Sequence, residues 1–382
     1  MNIKALTNGK IILKDRIVTG KALLFDEKLI GLAGPDEIPE GTEVIDCGGG
    51  CVAPGLIDVH IHGYLGRDVC DGDVGSLDVM SEGLVKNGVT GFLATTMTVS
   101  TDTIKKSLEA ARKAMSRSTA ELKGSRVLGV HAEGPFINPL KKGAQEERFI
   151  LPPDPDFVLE NDDVIKAITV APEMDNGFRF IREVRRKTGV AVSMGHTAAD
   201  YETAVAAIDA GVNHITHLYN AMTGPGSRAP GVVTAALNSD VATELIVDKY
   251  HVHPANYDHV ARMLGRNLCF ITDCLPAGGL PPGEYTLGGQ RIIAEETLCR
   301  LTDGTIAGSV LKLNEGVMNF FRNSTLPLWE CVNAASLNPA RSIGLDGRKG
   351  SIEPGKDADI IVTDGDFRVK MTIIGGCIKY EA

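Results

Sequence analysis

The chain has 382 residues, 43% hydrophobic and 23% charged, which is enough to bury a sizeable core and excludes a disordered or fibrous protein. Its 43 glycines and 18 prolines follow no fixed period, which excludes collagen-like and short-repeat architectures. Forty-nine acidic against 39 basic residues leave a net charge of -10 with no long block of either sign, so nucleic acid is not an expected partner. The longest basic cluster, Arg182, Arg185, Arg186 and Lys187, has the spacing of a solvated helix face and no interleaved aromatics. No apolar stretch approaches the ~20 residues of a bilayer span, and no apolar core with a small-residue cleavage site opens the chain. The eight cysteines include no CxxC pair, so reduced thiols in the cytoplasm are expected.

In chain order, residues 10–13, 22–25 and 29–32 read as short strands between turns, too few to make a core alone. Apolar β-type runs then alternate with segments of helical period, the pattern of parallel strands joined by crossover helices. The runs fall at 56–61, 89–95, 127–132, 165–171, 190–195, 212–217, 243–247 and 268–272. Eight of them predict a closed (β/α)8 TIM-like barrel, and helical stripes at 103–115, 178–187, 199–210 and 255–264 support it. The Gly/Pro-rich interval 276–289 reads as a loop or hairpin over the barrel mouth, and 313–321 and 328–337 as closing helices. Strands at 358–362 and 371–374 resemble those at the start, which predicts that the two ends pair into one small β-sandwich. The fold expected is thus α/β, with residues 1–53 and 346–382 in the sandwich and 54–345 in the barrel.

All nine histidines fall between His60 and His259, several of them where predicted strands end. Catalytic groups of such barrels sit at the C-terminal strand ends, where the following loops converge. His60 and His62 lie two apart on the first strand and therefore share a face. Glu133, His196, His217 and Asp273 end the third, fifth, sixth and eighth strands. An acidic group at the end of an apolar strand needs a cation, a hydrogen-bond network or solvent. Four histidines and two carboxylates at one mouth suffice for one or two borderline divalent ions, zinc or iron(II).

Residues 54–63, Pro-Gly-Leu-Ile-Asp-Val-His-Ile-His-Gly, together with the split sandwich, resemble the amidohydrolase superfamily. The blocks His-Ala-Glu-Gly-Pro from His131, Ala-Pro-Glu from Ala171, Gly-His-Thr from Gly195, Thr-His-Leu-Tyr-Asn-Ala-Met from Thr216, Thr272-Asp273 and Ala-Gly-Ser from Ala307 narrow it. In order and in type they resemble the N-acetylglucosamine-6-phosphate deacetylases through nearly the whole chain. The resemblance implies that Glu133, His196 and His217 hold one metal ion, and that His60, His62 and Asp273, with Glu133 as a bridge, hold a second. It implies that Asp273 accepts the proton of the attacking water and returns it to the departing amine. It also places Asn220, the backbone of Ala221, His251 and Arg228 against the sugar phosphate, with Arg228 reaching the neighbouring site of a homodimer. His131, His214 and His253 receive no site role.

Three positions depart from the family pattern. Gln145 follows Lys-Gly-Ala where a sugar-contacting histidine is usual, and it cannot carry a proton. Lys249 stands before the phosphate-side His251 in place of the usual Asp-Gly arrangement, and Cys274 follows Asp273 where alanine is usual. Adjacent strand residues face opposite ways, so Cys274 reads as a small buried thiol. N-acetylgalactosamine 6-phosphate, which differs at one hydroxyl, stays open as an alternative substrate, as do other N-acyl or cyclic amides. A catalytically dead scaffold would have lost ligands, and all six are present.

Overall fold

A computed structural model describes residues 3–382. Eight parallel strands form one sheet in sequence order: β1 (Leu56–Ile61), β2 (Val89–Thr96), β3 (Arg126–Phe136), β4 (Ile165–Val170), β5 (Ala191–Met194), β6 (His214–Ile215), β7 (Ala242–Ile246) and β8 (Leu268–Ile271). All but the two-residue β6 carry apolar residues on both faces, as parallel strands covered by helices must. The sheet closes on itself at the C-terminal ends of β1 and β8. There the Asp273 N–H donates to the His60 carbonyl and the His62 N–H to the Cys274 carbonyl, each at 2.9 Å. Asp58 reinforces the seam by accepting from the Thr272 hydroxyl at 2.6 Å.

The expected helices are found at Thr101–Met115, Arg179–Lys187, Tyr201–Ala210 and Tyr257–Leu264. The expected single helix at 328–337 is instead two, Leu328–Ala334 and Leu337–Ser342, because Ser336 leaves helical geometry between them. Asn338 of the second donates to the carbonyl of Leu268, seating that helix at the N-terminal end of β8. The two ends of the chain share a six-stranded sheet in which Ile360–Thr363 pairs with Cys51–Pro54. One apolar cluster joins Leu6, Leu23 and Phe25 from the N-terminal segment to Ile360, Met371 and Ile373 from the C-terminal one.

Three local differences bear on the site. β3 runs four residues past its expected end at 132, so Glu133 lies within the strand. β6 keeps only two residues in the ladder, because the backbone from His217 onward turns left-handed at His217, Tyr219 and Ala221. The segment after β8 builds a four-stranded antiparallel sheet, Gly283–Leu287, Gln290–Ala294, Leu298–Leu301 and Ile306–Ser309. It brings Ile306, Ala307 and Gly308 to the cavity at the mouth.

Candidate metal centre at the barrel mouth

His60, His62, Glu133, His196, His217 and Asp273 meet at the C-terminal end of the barrel, and all six are buried. One Glu133 oxygen, Oε1, stands 3.0 Å from His217 Nε2, 3.1 Å from His196 Nε2 and 3.3 Å from His60 Nε2. The other, Oε2, stands 3.3 Å from His62 Nε2. Asp273 Oδ1 lies 3.3 Å from His62 Nε2 and 3.6 Å from His60 Nε2. The ring nitrogens also face one another, His196 and His217 at 3.1 Å and His60 and His62 at 3.3 Å.

The outer nitrogen of every ring explains this crowding. His60 Nδ1 meets Glu244 Oε2 at 2.9 Å and His62 Nδ1 the Thr95 carbonyl at 3.2 Å. His196 Nδ1 meets the Lys141 carbonyl at 2.8 Å and His217 Nδ1 the Asn220 carbonyl at 3.2 Å. Each acceptor calls for a proton on Nδ1, which leaves the Nε2 lone pair turned toward the carboxylate oxygens. Lone pairs facing lone pairs require a cation among them, and imidazoles oriented by outer acceptors are the usual way to hold one. The donor set fits a divalent ion in two groups sharing Glu133: Glu133, His196 and His217, and His60, His62 and Glu133.

Burial by itself would raise the Glu133 carboxyl, but the His196 and His60 rings outweigh it and hold it well below its ordinary range. Burial likewise opposes ionisation of Asp273, and His62 and His60 turn the balance the other way. Three of the six residues, His196, His217 and Asp273, carry left-handed φ angles of 47°, 31° and 49°. Non-glycine residues persist there only where surrounding contacts hold them, and such strain concentrates at functional sites.

A cavity of about 380 Å³ opens on these groups, and Lys141, Gln145, Asn220, Ala221 and His251 reach it. His251 Nδ1 pairs with Asp248 at 2.6 Å; burial lowers its pKa, but the carboxylate outweighs it and shifts the ring toward the cation. Arg228 lies on an exposed loop and does not line this cavity. Gln145, expected to face a sugar, is buried with its amide engaged: Nε2 donates to Glu133 Oε2, and Oε1 accepts from the Thr98 N–H at 2.6 Å. Cys274 is fully buried, and burial pushes its thiol well above the ordinary value, which removes thiolate chemistry. Lys249 is exposed, with a left-handed φ of 75°.

Two residues missed by the sequence reading are Lys141, a cation at the cavity, and Glu244, the acceptor behind His60. A carboxylate inside the apolar run of β7 was a legible signal for the second.

The chain belongs to the amidohydrolase family, whose profile matches residues 51–379. It is 40% identical to the N-acetylglucosamine-6-phosphate deacetylase of Bacillus subtilis (strain 168) over 334 residues, covering 86% of this chain and 84% of that protein. It is 34% identical to the N-acetylgalactosamine-6-phosphate deacetylase of Escherichia coli O157:H7 over 331 residues, covering 85% and 86%. The crystal structure of N-acetylglucosamine-6-phosphate deacetylase from Pasteurella multocida superposes with a TM-score of 0.94 at 32% identity over 100% of both chains. Among the described residues no helix is long and apolar enough to cross a membrane.

Proposed function

We propose that the chain hydrolyses N-acetylglucosamine 6-phosphate to glucosamine 6-phosphate and acetate. The observation that carries this reading is the pairing of a six-residue imidazole–carboxylate cluster with an adjoining cavity that also holds Lys141 and His251. Its likeness to deacetylases of this name over most of its length supports it. One or two divalent ions, zinc or iron(II), would be held by Glu133, His196 and His217 and by His60, His62 and Asp273 with Glu133 shared. A bound ion supplies Lewis acidity, lowering the pKa of water and polarising the acetamide carbonyl.

The remaining work falls to the chain. Asp273, at the cluster and facing the cavity, accepts the proton of the attacking water on a carboxylate oxygen and delivers it to the amine nitrogen. An amine leaves only when protonated, so both halves of the reaction need this group. Lys141, Asn220, the Ala221 backbone and the cation-leaning His251 bind the phosphate end, and Gln145 holds Glu133 in place. Arg228, which does not line the cavity of its own chain, serves the site of a second copy in a homodimer. The setting is the cytoplasm and amino-sugar breakdown.

The 34% identical galactosamine relative makes the C4 epimer the reading to separate. Metal-replete protein is offered N-acetylglucosamine 6-phosphate, its galactosamine epimer and unphosphorylated N-acetylglucosamine, and acetate is measured. Turnover of the first in preference, reduced on the order of 10³-fold in Asp273→Asn, is expected. Preference for the epimer keeps the chemistry and replaces the substrate, and inactivity on all three rejects the reading.

A further inference from the structure

Glu244 takes no part in the proposed hydrolysis, yet it is fully buried on β7 behind the metal centre. A carboxylate there is costly unless donors meet it. Two do so at one oxygen: Oε2 accepts from His60 Nδ1 at 2.9 Å and from the His217 backbone N–H at 3.1 Å. Its backbone carbonyl accepts from the Leu218 N–H at 2.9 Å, so Glu244 grips the turn carrying His217 at two consecutive amides. That turn needs a grip, because His217 is left-handed. The other oxygen, Oε1, makes no well-formed hydrogen bond and faces His214 Nε2 at 3.2 Å and His131 Nδ1 at 3.7 Å.

His60, His131 and Glu244 stand close enough to suggest a metal site of their own. His131 argues against it. Its Nδ1 lies 3.1 Å from the Val59 carbonyl and its Nε2 2.8 Å from the Thr169 hydroxyl, so one nitrogen donates, the other accepts, and no lone pair remains. Glu244 is an acceptor behind the centre rather than a ligand within it.

We propose that Glu244 is a positioning residue that gives the chain two-ion occupancy. Its charge holds the His60 ring with Nδ1 protonated and Nε2 turned into the mouth, and makes that nitrogen a better donor to metal. The same oxygen fixes the backbone of His217, so one atom joins a ligand from each half of the centre. Loss of the charge weakens the His60 half first, because His217 belongs to a set completed by Glu133 and His196 and oriented through the Asn220 carbonyl. The inference rests on the metal centre of the proposed function and not on the identity of the sugar.

Glu244→Gln is nearly isosteric, keeps an oxygen acceptor and removes the charge. Chelated wild-type and variant chains are titrated with Zn²⁺ by calorimetry and their ions counted after gel filtration. Wild type is expected to hold two ions per chain. The variant is expected to bind the second 10- to 100-fold more weakly, roughly the effect of removing a ligand's outer acceptor. Its first ion and the melting temperature of its metal-free form stay unchanged. In a His60→Asn background, Glu244→Gln changes the ion count no further. A variant that keeps both ions at wild-type affinity, or that weakens both alike while its metal-free form melts lower, overturns the proposal. A wild-type chain that takes up one ion also overturns it and leaves the deacetylase reading, tested by acetate release, untouched. One that takes up none rejects both.

Discussion

Two clusters of buried carboxylates in this molecule differ in what balances their charge. Where the terminal segments meet the barrel, Asp357 is paired with Lys28, with Lys349 at 3.0 Å and with Arg348 at 3.1 Å, and Lys349 also reaches Asp359 at 2.5 Å. At the barrel mouth, among the described residues, no Lys or Arg stands within ion-pair distance of Glu133 or Asp273, and imidazoles and the neutral Gln145 amide face them. The first cluster is complete as the chain folds. The second is shaped around something the chain does not supply. A buried carboxylate that its own chain neutralises is structural, and one ringed by oriented lone pairs marks a site for a cation.

The comparison is broken most severely by Glu133→Gln, which removes the charge and replaces by an amide NH2 one of the two oxygens that the four imidazoles face. The ion count per chain should drop below one, and acetate release should fall on the order of 10³-fold, matching the several kcal/mol a bound ion contributes. If the variant keeps its metal, the mouth is not built around Glu133. Gln145→Ala is expected to act next, through the amide that steadies Glu133. An effect of about 10-fold on kcat with KM nearly constant is expected for lost support of a ligand. A rise in KM alone would return Gln145 to the sugar.

The smallest effect belongs to the self-balanced cluster. Burial works against ionisation of Asp357, but Lys28 and Lys349 outweigh it and bring it to about 2, below its ordinary 3.8. A carboxylate depressed in the folded state stabilises above its unfolded value, and that contribution is lost as pH falls from about 4 toward about 2. Asp357→Asn should therefore cost on the order of 1 kcal/mol near neutrality, with solvent screening taken into account, while leaving the ion count and kcat unchanged. Thermal melts of variant and wild type should converge as pH drops through that window. A constant gap would mean that packing, not charge, holds this junction.

Much of the barrel was legible because its strands are apolar on both faces and its helices carry single stripes. The ligands were legible for a related reason: several of those apolar runs end on a polar ligand, as at His196 and Asp273. What escaped depends on tertiary context. β6 is cut short by left-handed backbone at His217, which no local propensity foretells. The strands at Gln290–Ala294, Leu298–Leu301 and Ile306–Ser309 alternate weakly and gain stability by pairing with one another. Gln145, placed against the sugar by resemblance, lines the cavity, and its further contact with Glu133, 12 positions away, comes about only through the loop after β3. Arg228 was placed at the phosphate by resemblance, and the cavity of its own chain does not include it.

Acetate release from N-acetylglucosamine 6-phosphate, followed in fully chelated protein before and after addition of a divalent ion, tests most directly whether the mouth works through a bound cation. No turnover in the metal-free protein, with full activity restored as the ion count reaches that of the intact centre, is the expected result. Undiminished turnover without metal would contradict it, and would mean that the imidazoles and carboxylates at the mouth act through protons alone.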